Sequence, residues 1–122
     1  MQFARRVFLI AGILGLIVLL PQYFLEARIG RDMPPEITHP EFYYGFVGVA
    51  LAWQVLFLIV ATDPQRYRPM MIPAVLEKAS FGIAVVVLVS LGRTAMPMLA
   101  GAVMDLTLGV LFVLAYFKTR PV

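Results

Sequence analysis

The feature that most constrains this chain is a set of four long apolar stretches separated by short polar breaks. They cover about residues 7–25, 39–62, 71–91 and 97–117 of the 122-residue sequence. Each is close to the roughly 20 residues with which a helix crosses a hydrocarbon core about 30 Å thick. A helix also satisfies its own backbone hydrogen bonds in lipid. The sequence therefore predicts an all-α, up-down-up-down bundle of four transmembrane helices in one membrane domain, 1–122.

Composition supports lipid rather than water as the surrounding medium. Hydrophobic residues make up 61% of the chain and charged residues 14%, whereas soluble domains carry about 25% charged residues. So short a soluble chain would have too little interior for this many apolar side chains. Basic residues are dispersed, so we expect no nucleic-acid partner. With one histidine and no cysteine, we expect no metal and no cofactor.

Lysines and arginines near the predicted helix ends indicate the orientation, because cytoplasmic loops are enriched in them. One side of the membrane would hold Arg5, Arg6, Arg66, Arg68, Lys118 and Arg120, and the other Arg28, Arg31 and Arg93. This distribution favours both termini in the cytoplasm. No small-x-small cleavage site follows the first apolar stretch, so we interpret it as an uncleaved helix rather than a signal peptide.

A basic turn precedes the third stretch and contains Arg66, Tyr67 and Arg68. Such a turn could bind lipid headgroup phosphates. The alternative is that it serves as a topology signal and an interfacial anchor.

Small residues predict where the first two helices pack, since helices in lipid associate through small side chains that allow close backbone approach. Gly12 and Gly15 lie in the first helix, and Gly48 and Ala52 lie on one face of the second. Folding the two helices back on each other brings these small surfaces to similar depths. We expect them to meet.

The fourth helix carries a second small-residue pattern. Gly101, Asp105 and Gly109 are spaced by four residues and therefore share one face. The glycines would let a neighbouring helix approach the carboxylate. We expect this face to point into the bundle, because a carboxylate facing lipid is costly.

Three charged residues lie in the interior of the apolar stretches, away from their ends, namely Glu77, Lys78 and Asp105. An intramembrane charge is a candidate functional group. Adjacent helix positions point in different directions, so direct pairing of Glu77 with Lys78 is not expected. Aligning the helices by their loops leaves Lys78 and Asp105 offset by roughly 9 Å in depth, so an ion pair between them would require distortion.

Three further side chains complete the candidate polar site. Gln54 lies at a depth from which it could hydrogen-bond Glu77 or Lys78, and Tyr44 could reach Asp105. Gln54, Glu77, Lys78 and Asp105 would then line a pocket. The alternatives are an interfacial anchor at Glu77 and Lys78, and a structural hydrogen bond at Asp105. Trp53 would either line a cavity or pack against protein or lipid.

Several segments carry a resemblance to a known kind of protein. They are 48–54 (GVALAWQ), 63–69 (DPQRYRP), 73–78 (PAVLEK) and the block from Gly101 to Tyr116. Over roughly residues 45–118 the chain resembles a family of small, uncharacterised bacterial four-helix integral membrane proteins, distantly similar to DoxX-like proteins in architecture. The resemblance implies a multi-pass protein of the bacterial inner (cytoplasmic) membrane. It implies no activity and no site residues.

Three functions follow as hypotheses. The leading one is a non-enzymatic accessory subunit whose partners, besides the lipid bilayer, are larger membrane proteins or further copies of the chain. The second is a carrier or binder of a small lipophilic ligand in the pocket just described. The third is an intramembrane acid–base enzyme using Glu77 and Asp105, although the predicted register separates these carboxylates by roughly 9–10 Å in depth.

Overall fold

The fold is all-helical, and four of its helices are long and apolar enough to cross a membrane. The computed structural model describes residues 1–120 and contains five α-helices over that range. They are α1 (Gln2–Leu19), α2 (Glu26–Asp32), α3 (Pro40–Thr62), α4 (Met71–Ser90) and α5 (Met98–Lys118). The candidate spans are α1, α3, α4 and α5, where α1 is extended by a 3-10 segment to Phe24 and α4 is preceded by one from Arg68. The predicted four-helix class is confirmed.

Both differences from the predicted boundaries lie in the first third of the chain. α1 begins at Gln2 rather than near residue 7, so Arg5 and Arg6 lie on the helix itself and are exposed. The span ends in the 3-10 segment Leu20–Phe24, where Pro21 lacks the N–H that an α-helix would use.

The predicted loop before α3 contains the short helix α2. Glu26 stands in its first turn and Arg31 in its last, which suits the helix dipole. Arg28 and Asp32 pair one turn apart at 3.5 Å. Local charge placement, rather than an apolar face, therefore favours this helix, and that is why hydropathy did not reveal it.

The four long helices run antiparallel to their neighbours. α1 packs against α3 and α4 packs against α5, and the two pairs join mainly through α1 and α5. Successive contacts show the direction of packing: Gly12 lies by Leu58 and Gly15 by Gln54, while Lys78 lies by Gly109 and Gly82 by Leu106. This is the predicted up-down-up-down arrangement. By contrast α3 and α4, although consecutive in the chain, touch little.

The hydrophobic core lies at the end of the bundle that holds the N-terminus. Three fully buried rings meet there: Phe8 stacks on Phe112 at 4.2 Å between centroids, and Phe57 meets Phe112 edge-on at 5.0 Å. They come from α1, α3 and α5, so they fasten three helices together. Alanines 4, 61, 74 and 115 fill the spaces between the larger side chains.

Glycines allow the α1–α3 approach, as expected, but with different partners. A Cβ at Gly12 would lie 2.6 Å from Leu58 Cδ2, and one at Gly15 would collide with the Gln54 side chain. Ala52 is instead exposed, and Gly48 faces the Tyr23 hydroxyl. The predicted partner face was wrong because α3 is rotated so that Gln54, not the Gly48–Ala52 stripe, fills the glycine gap.

Candidate functional site

Glu77, Lys78 and Asp105 form a single charged cluster between α4 and α5. Lys78 Nζ lies 3.3 Å from Asp105 Oδ1 and 3.7 Å from Glu77 Oε2. The ammonium donates a hydrogen bond to Asp105. Lys78 is 3% exposed and Asp105 9%, so both are effectively inside the bundle. A charge this deep in an apolar span is stabilised chiefly by its partners.

The Lys78–Asp105 pair corrects the predicted offset of about 9 Å. In the structure Lys78 packs beside Gly109, where a Cβ would lie 3.4 Å from the Lys78 Cβ. Asp105 is one helical turn from Gly109, or about 6 Å along the axis, and the lysine side chain spans that distance. Close packing at the glycine decided the register, which alignment by loop lengths could not resolve.

The Glu77–Lys78 contact also corrects the prediction. Neighbouring Cβ atoms on a helix do diverge, but the lysine ammonium is carried by three further methylene groups beyond its own Cβ. Lys78 Nζ therefore comes within 3.7 Å of the adjacent carboxylate while bonding Asp105. As a result both carboxylates lie around one ammonium, much closer than the sequence-based depth estimate indicated.

An aromatic ring closes the cluster on the side of the hydrophobic core. Lys78 Nζ lies 5.2 Å from the centroid of the Phe57 ring, within the range of a cation–π interaction. Phe57 in turn belongs to the stacked core with Phe112. The lysine is therefore held by α3 as well as by α5.

Charge in the cluster is unbalanced. With both carboxylates ionised, two negative groups share one ammonium. Asp105 has the hydrogen bond, whereas Glu77 Oε2 is buried and makes none with any part of the chain described. A buried acceptor without a donor is costly. Glu77 is thus the less satisfied of the two carboxylates.

The predicted role of Gln54 in this cluster is wrong. Its Nε2 donates to the Ala50 carbonyl at 2.8 Å, one turn earlier on α3. Gln54 is 2% exposed and faces Gly15 of α1, and within residues 1–120 its Oε1 has no hydrogen-bond partner. Rotation of α3 toward α1 takes this amide away from Glu77 and Lys78.

Tyr44 is also placed differently from the prediction. Its hydroxyl donates to Glu26 Oε1 at 2.9 Å, and its ring stacks on Tyr23 at 6.0 Å between centroids. Tyr43 donates to the Gln22 carbonyl beside it. These contacts attach the segment around α2 to the start of α3. Tyr44 therefore fastens the loop rather than reaching Asp105.

The basic turn is partly engaged by the protein itself. Arg68 Nε donates to the Tyr116 carbonyl at 3.0 Å, and its guanidinium lies 3.7 Å from the centroid of the Tyr116 ring. Arg66 is exposed and lies 5.5 Å from the Tyr67 ring. Arg68 thus anchors the turn to α5, while Arg66 remains accessible. Headgroup binding by this turn stays a prediction.

A lateral groove of about 790 Å³ runs along the sparse boundary between α3 and α4. Its walls are mostly apolar and aromatic, and Glu77 is the charged residue among them. The groove is lined by Gly45, Phe46, Val49, Ala50, Trp53, Pro73, Leu76, Glu77, Ser80 and Phe81. Val49 and Leu76 are more than half exposed on the outside of the bundle, so the groove opens sideways toward lipid.

Only Glu77 of the four predicted pocket residues lines this groove. Lys78 and Asp105 are packed behind it, and Gln54 faces α1. The sequence reasoning did not single out Phe46 and Phe81, whose rings stack across the groove at 5.6 Å between centroids. A signal existed for Trp53, because a tryptophan in mid-span departs from the usual interfacial position.

A smaller groove of about 340 Å³ lies between α1 and α5 near the N-terminus. The charged residue in its lining is Arg6, and the remainder is apolar. Its lining includes none of the three residues of the charged cluster. The α3–α4 groove is therefore the better candidate for a functional site, because its wall contains a carboxylate that lacks a hydrogen bond.

Comparison with protein-family models, with curated protein sequences and with solved structures gives no match. The resemblance to small bacterial four-helix membrane proteins therefore remains a prediction from the sequence.

Proposed function

We propose that this multi-pass membrane protein binds a small lipophilic molecule in the lateral groove between α3 and α4. The observation that supports this most is the combination of a groove of about 790 Å³ with the Glu77 carboxylate in its wall. Ligand sites commonly measure about 300–1,000 Å³ and are mostly apolar with a few polar groups. The side opening would admit a ligand directly from the bilayer.

The groove favours ligand binding over the leading sequence-based hypothesis of an accessory subunit. A helix that only packs against partner proteins needs a complementary apolar face. A carboxylate in the wall of an open groove adds nothing to such packing. The acid–base enzyme stays a prediction, because neither the groove nor the cluster indicates a reaction. Binding at fixed stoichiometry to another membrane protein would support the accessory role instead.

Trp53 makes the proposal directly testable, because it is the chain's single tryptophan and it lines the groove. Purified protein in detergent micelles would be titrated with a neutral alkyl alcohol that carries bromine at its far end. Bromine quenches indole fluorescence on contact. We expect quenching of Trp53 that saturates at one probe per protein.

A matched pair of variants separates groove binding from partition into the micelle. Gly45→Leu fills the groove at a position where an added Cβ meets no described atom within 4 Å, and it should abolish saturable quenching. Val103→Leu, on the exposed face of α5, should leave it intact. Equal, non-saturating quenching in all three proteins would refute the proposed binding site.

We further propose that the chain crosses the cell inner membrane with both termini in the cytoplasm. The excess of lysine and arginine on the side of the termini supports this orientation. Since the chain has no cysteine, single cysteines at Glu36 and Gln65 can be labelled without background. A membrane-impermeant maleimide should label Glu36→Cys in intact cells and Gln65→Cys only after permeabilisation; the reverse pattern would invert the topology.

A further inference from the structure

We infer that the ligand of the lateral groove is a compact amphiphilic cation, an alkylammonium or a similar lipophilic amine, whose charged nitrogen binds Glu77. This inference rests on the proposed function, because it names the chemical class of the molecule that the groove takes. Three independent features of the structure lead to it: the charge of the cluster, the position of Glu77 and the aromatic lining.

The charge of the cluster is the first feature. Glu77, Lys78 and Asp105 are charged residues away from the ends of the apolar stretches, and together they hold one more acid than base. Lys78 gives its hydrogen bond to Asp105 at 3.3 Å and reaches Glu77 only at 3.7 Å. A second cation beside Glu77 would balance the group, and in a low-dielectric span such balance is worth more than in water.

The position of Glu77 is the second feature. Of the cluster's three side chains it alone lines the groove, and it keeps 16% of its side-chain area accessible. Oε2 is turned inward to Lys78, so Oε1 is the oxygen that a ligand would meet. An ammonium N–H donating to Oε1 would form a charge-assisted hydrogen bond, the stronger class of such bonds.

The aromatic lining is the third feature. Phe46 and Phe81 stack across the groove, and Trp53 lies further along its α3 wall. Aromatic faces attract cations, with tryptophan the best of them. The stacked faces of Phe46 and Phe81 are turned to each other, so Trp53 is the ring that remains for a cation. A neutral lipophile would use only the area of that ring, whereas an ammonium group would use its electrostatic field as well.

Size and depth favour a compact amine over a phospholipid headgroup. Glu77 lies six residues into α4 from Met71, or about 9 Å below the helix start. The amine of a phospholipid headgroup sits at the membrane interface and is joined to a phosphate, which a cluster with two carboxylates and one ammonium would repel. A free amphiphilic amine can instead place its nitrogen at this depth and its chain along Val49 and Leu76.

The decisive experiment compares two probes that differ only in charge. Trp53 quenching would be measured with an ω-bromo alkyl alcohol and with the ω-bromo alkylammonium of the same chain length, at neutral pH. We expect the ammonium to bind the native protein at least about tenfold more tightly, as a hydrogen bond to a charged group predicts.

Variants test whether Glu77 is the anchor. Glu77→Gln should remove the preference for the ammonium while leaving affinity for the alcohol unchanged, and Glu77→Asp should restore part of it. Glu41→Gln, an exposed carboxylate at the start of α3, should change neither affinity. Far-UV circular dichroism would show that each variant stays helical, and Lys78 and Asp105 are left unchanged in all of them.

The outcomes distinguish the inference from the proposed function. Saturable binding of the alcohol and the ammonium with equal affinity would overturn the cation assignment and leave a groove that binds neutral lipophiles. If the protein in nanodiscs bound phosphatidylethanolamine and did not bind the free amine, the ligand would be a lipid headgroup and the inference would be overturned. No saturable response to either probe would refute the proposed function itself.

Discussion

The α4–α5 interface and the α3–α4 boundary use two sides of the same helix in opposite ways. On one side, Gly82 and Gly109 let α4 and α5 approach until Lys78 reaches Asp105. On the other, the rings of Phe46 and Phe81 meet at 5.6 Å and a groove remains beside them. In lipid, where hydrophobicity does not force helices together, small side chains decide which faces close.

The two sides of α4 also differ in their polar groups. The closed interface contains a lysine and an aspartate that satisfy each other, and the open boundary exposes the carboxylate that is left over. Paired charges are tolerated where helices close, since each partner compensates the other's lost hydration. An under-satisfied carboxylate is best placed where a ligand can reach it. Under the proposed function, one side of α4 holds the bundle together and the other side binds the ligand.

The largest expected effect comes from removing the ammonium group at the centre of the α4–α5 interface. Lys78→Met would leave Glu77 and Asp105 buried without a cation, and removing one partner of a buried pair typically costs about 3–5 kcal/mol. We expect a corresponding loss in the free energy of unfolding, measured by denaturation of the purified protein in mixed micelles.

Two variants check that this loss comes from the charge. Lys118→Met, at the exposed end of α5, removes only a surface contact with the Phe3 ring at 4.9 Å and should cost no more than about 1 kcal/mol. Adding Asp105→Asn to Lys78→Met should recover part of the lost stability. If Lys78→Met alone proved as stable as the native chain, the cluster would not be holding α4 to α5.

A smaller effect should follow from adding one methyl group at the α4–α5 interface, on Gly82 of α4, and one at the α3–α4 groove, on Gly45 of α3. A Cβ at Gly82 would lie 2.5 Å from Leu106 Cγ and 3.3 Å from the Ala102 carbonyl, so Gly82→Ala should destabilise by about 1–3 kcal/mol through overpacking. Gly45→Ala at the groove meets no atom of the described chain within 4 Å, and should be neutral. If both variants lost the same free energy of unfolding in micelles, the α4–α5 interface would not be packed more closely than the α3–α4 boundary.

The smallest effect concerns a buried polar group that has no charge. Gln54→Leu removes an Oε1 atom for which residues 1–120 offer no donor, so stability should be unchanged or rise by up to about 1 kcal/mol. Thermal unfolding in micelles, followed by circular dichroism, measures this. A clear loss of stability would show that Oε1 is satisfied in the membrane and that the α1–α3 interface needs its amide.

Much of the helical framework followed from hydropathy. The second, third and fourth spans were predicted at 39–62, 71–91 and 97–117, and the structure has Pro40–Thr62, Met71–Ser90 and Met98–Lys118. Span length is set by bilayer thickness, and a single sequence records it directly. The start of α1 and the helix α2 were missed, because neither is marked by an apolar boundary.

Only part of the candidate site could be predicted from the sequence. Glu77, Lys78 and Asp105 stood out because charges are rare in apolar spans. Their association did not, since the Lys78–Asp105 contact depends on packing at Gly109. Gln54 and Tyr44 were assigned to the cluster by depth, whereas helix rotation and the contact with Glu26 place them elsewhere.

The amino-acid sequence by itself determined the number of membrane-crossing helices, their antiparallel order and the identity of the buried charges. These properties depend on segment length and on the cost of polarity in lipid, which are local quantities. Helix rotation, the register of α4 against α5 and the groove beside α3 were decided only by the tertiary structure. They depend on which side chains fit into which gaps, and that is settled between helices rather than within them.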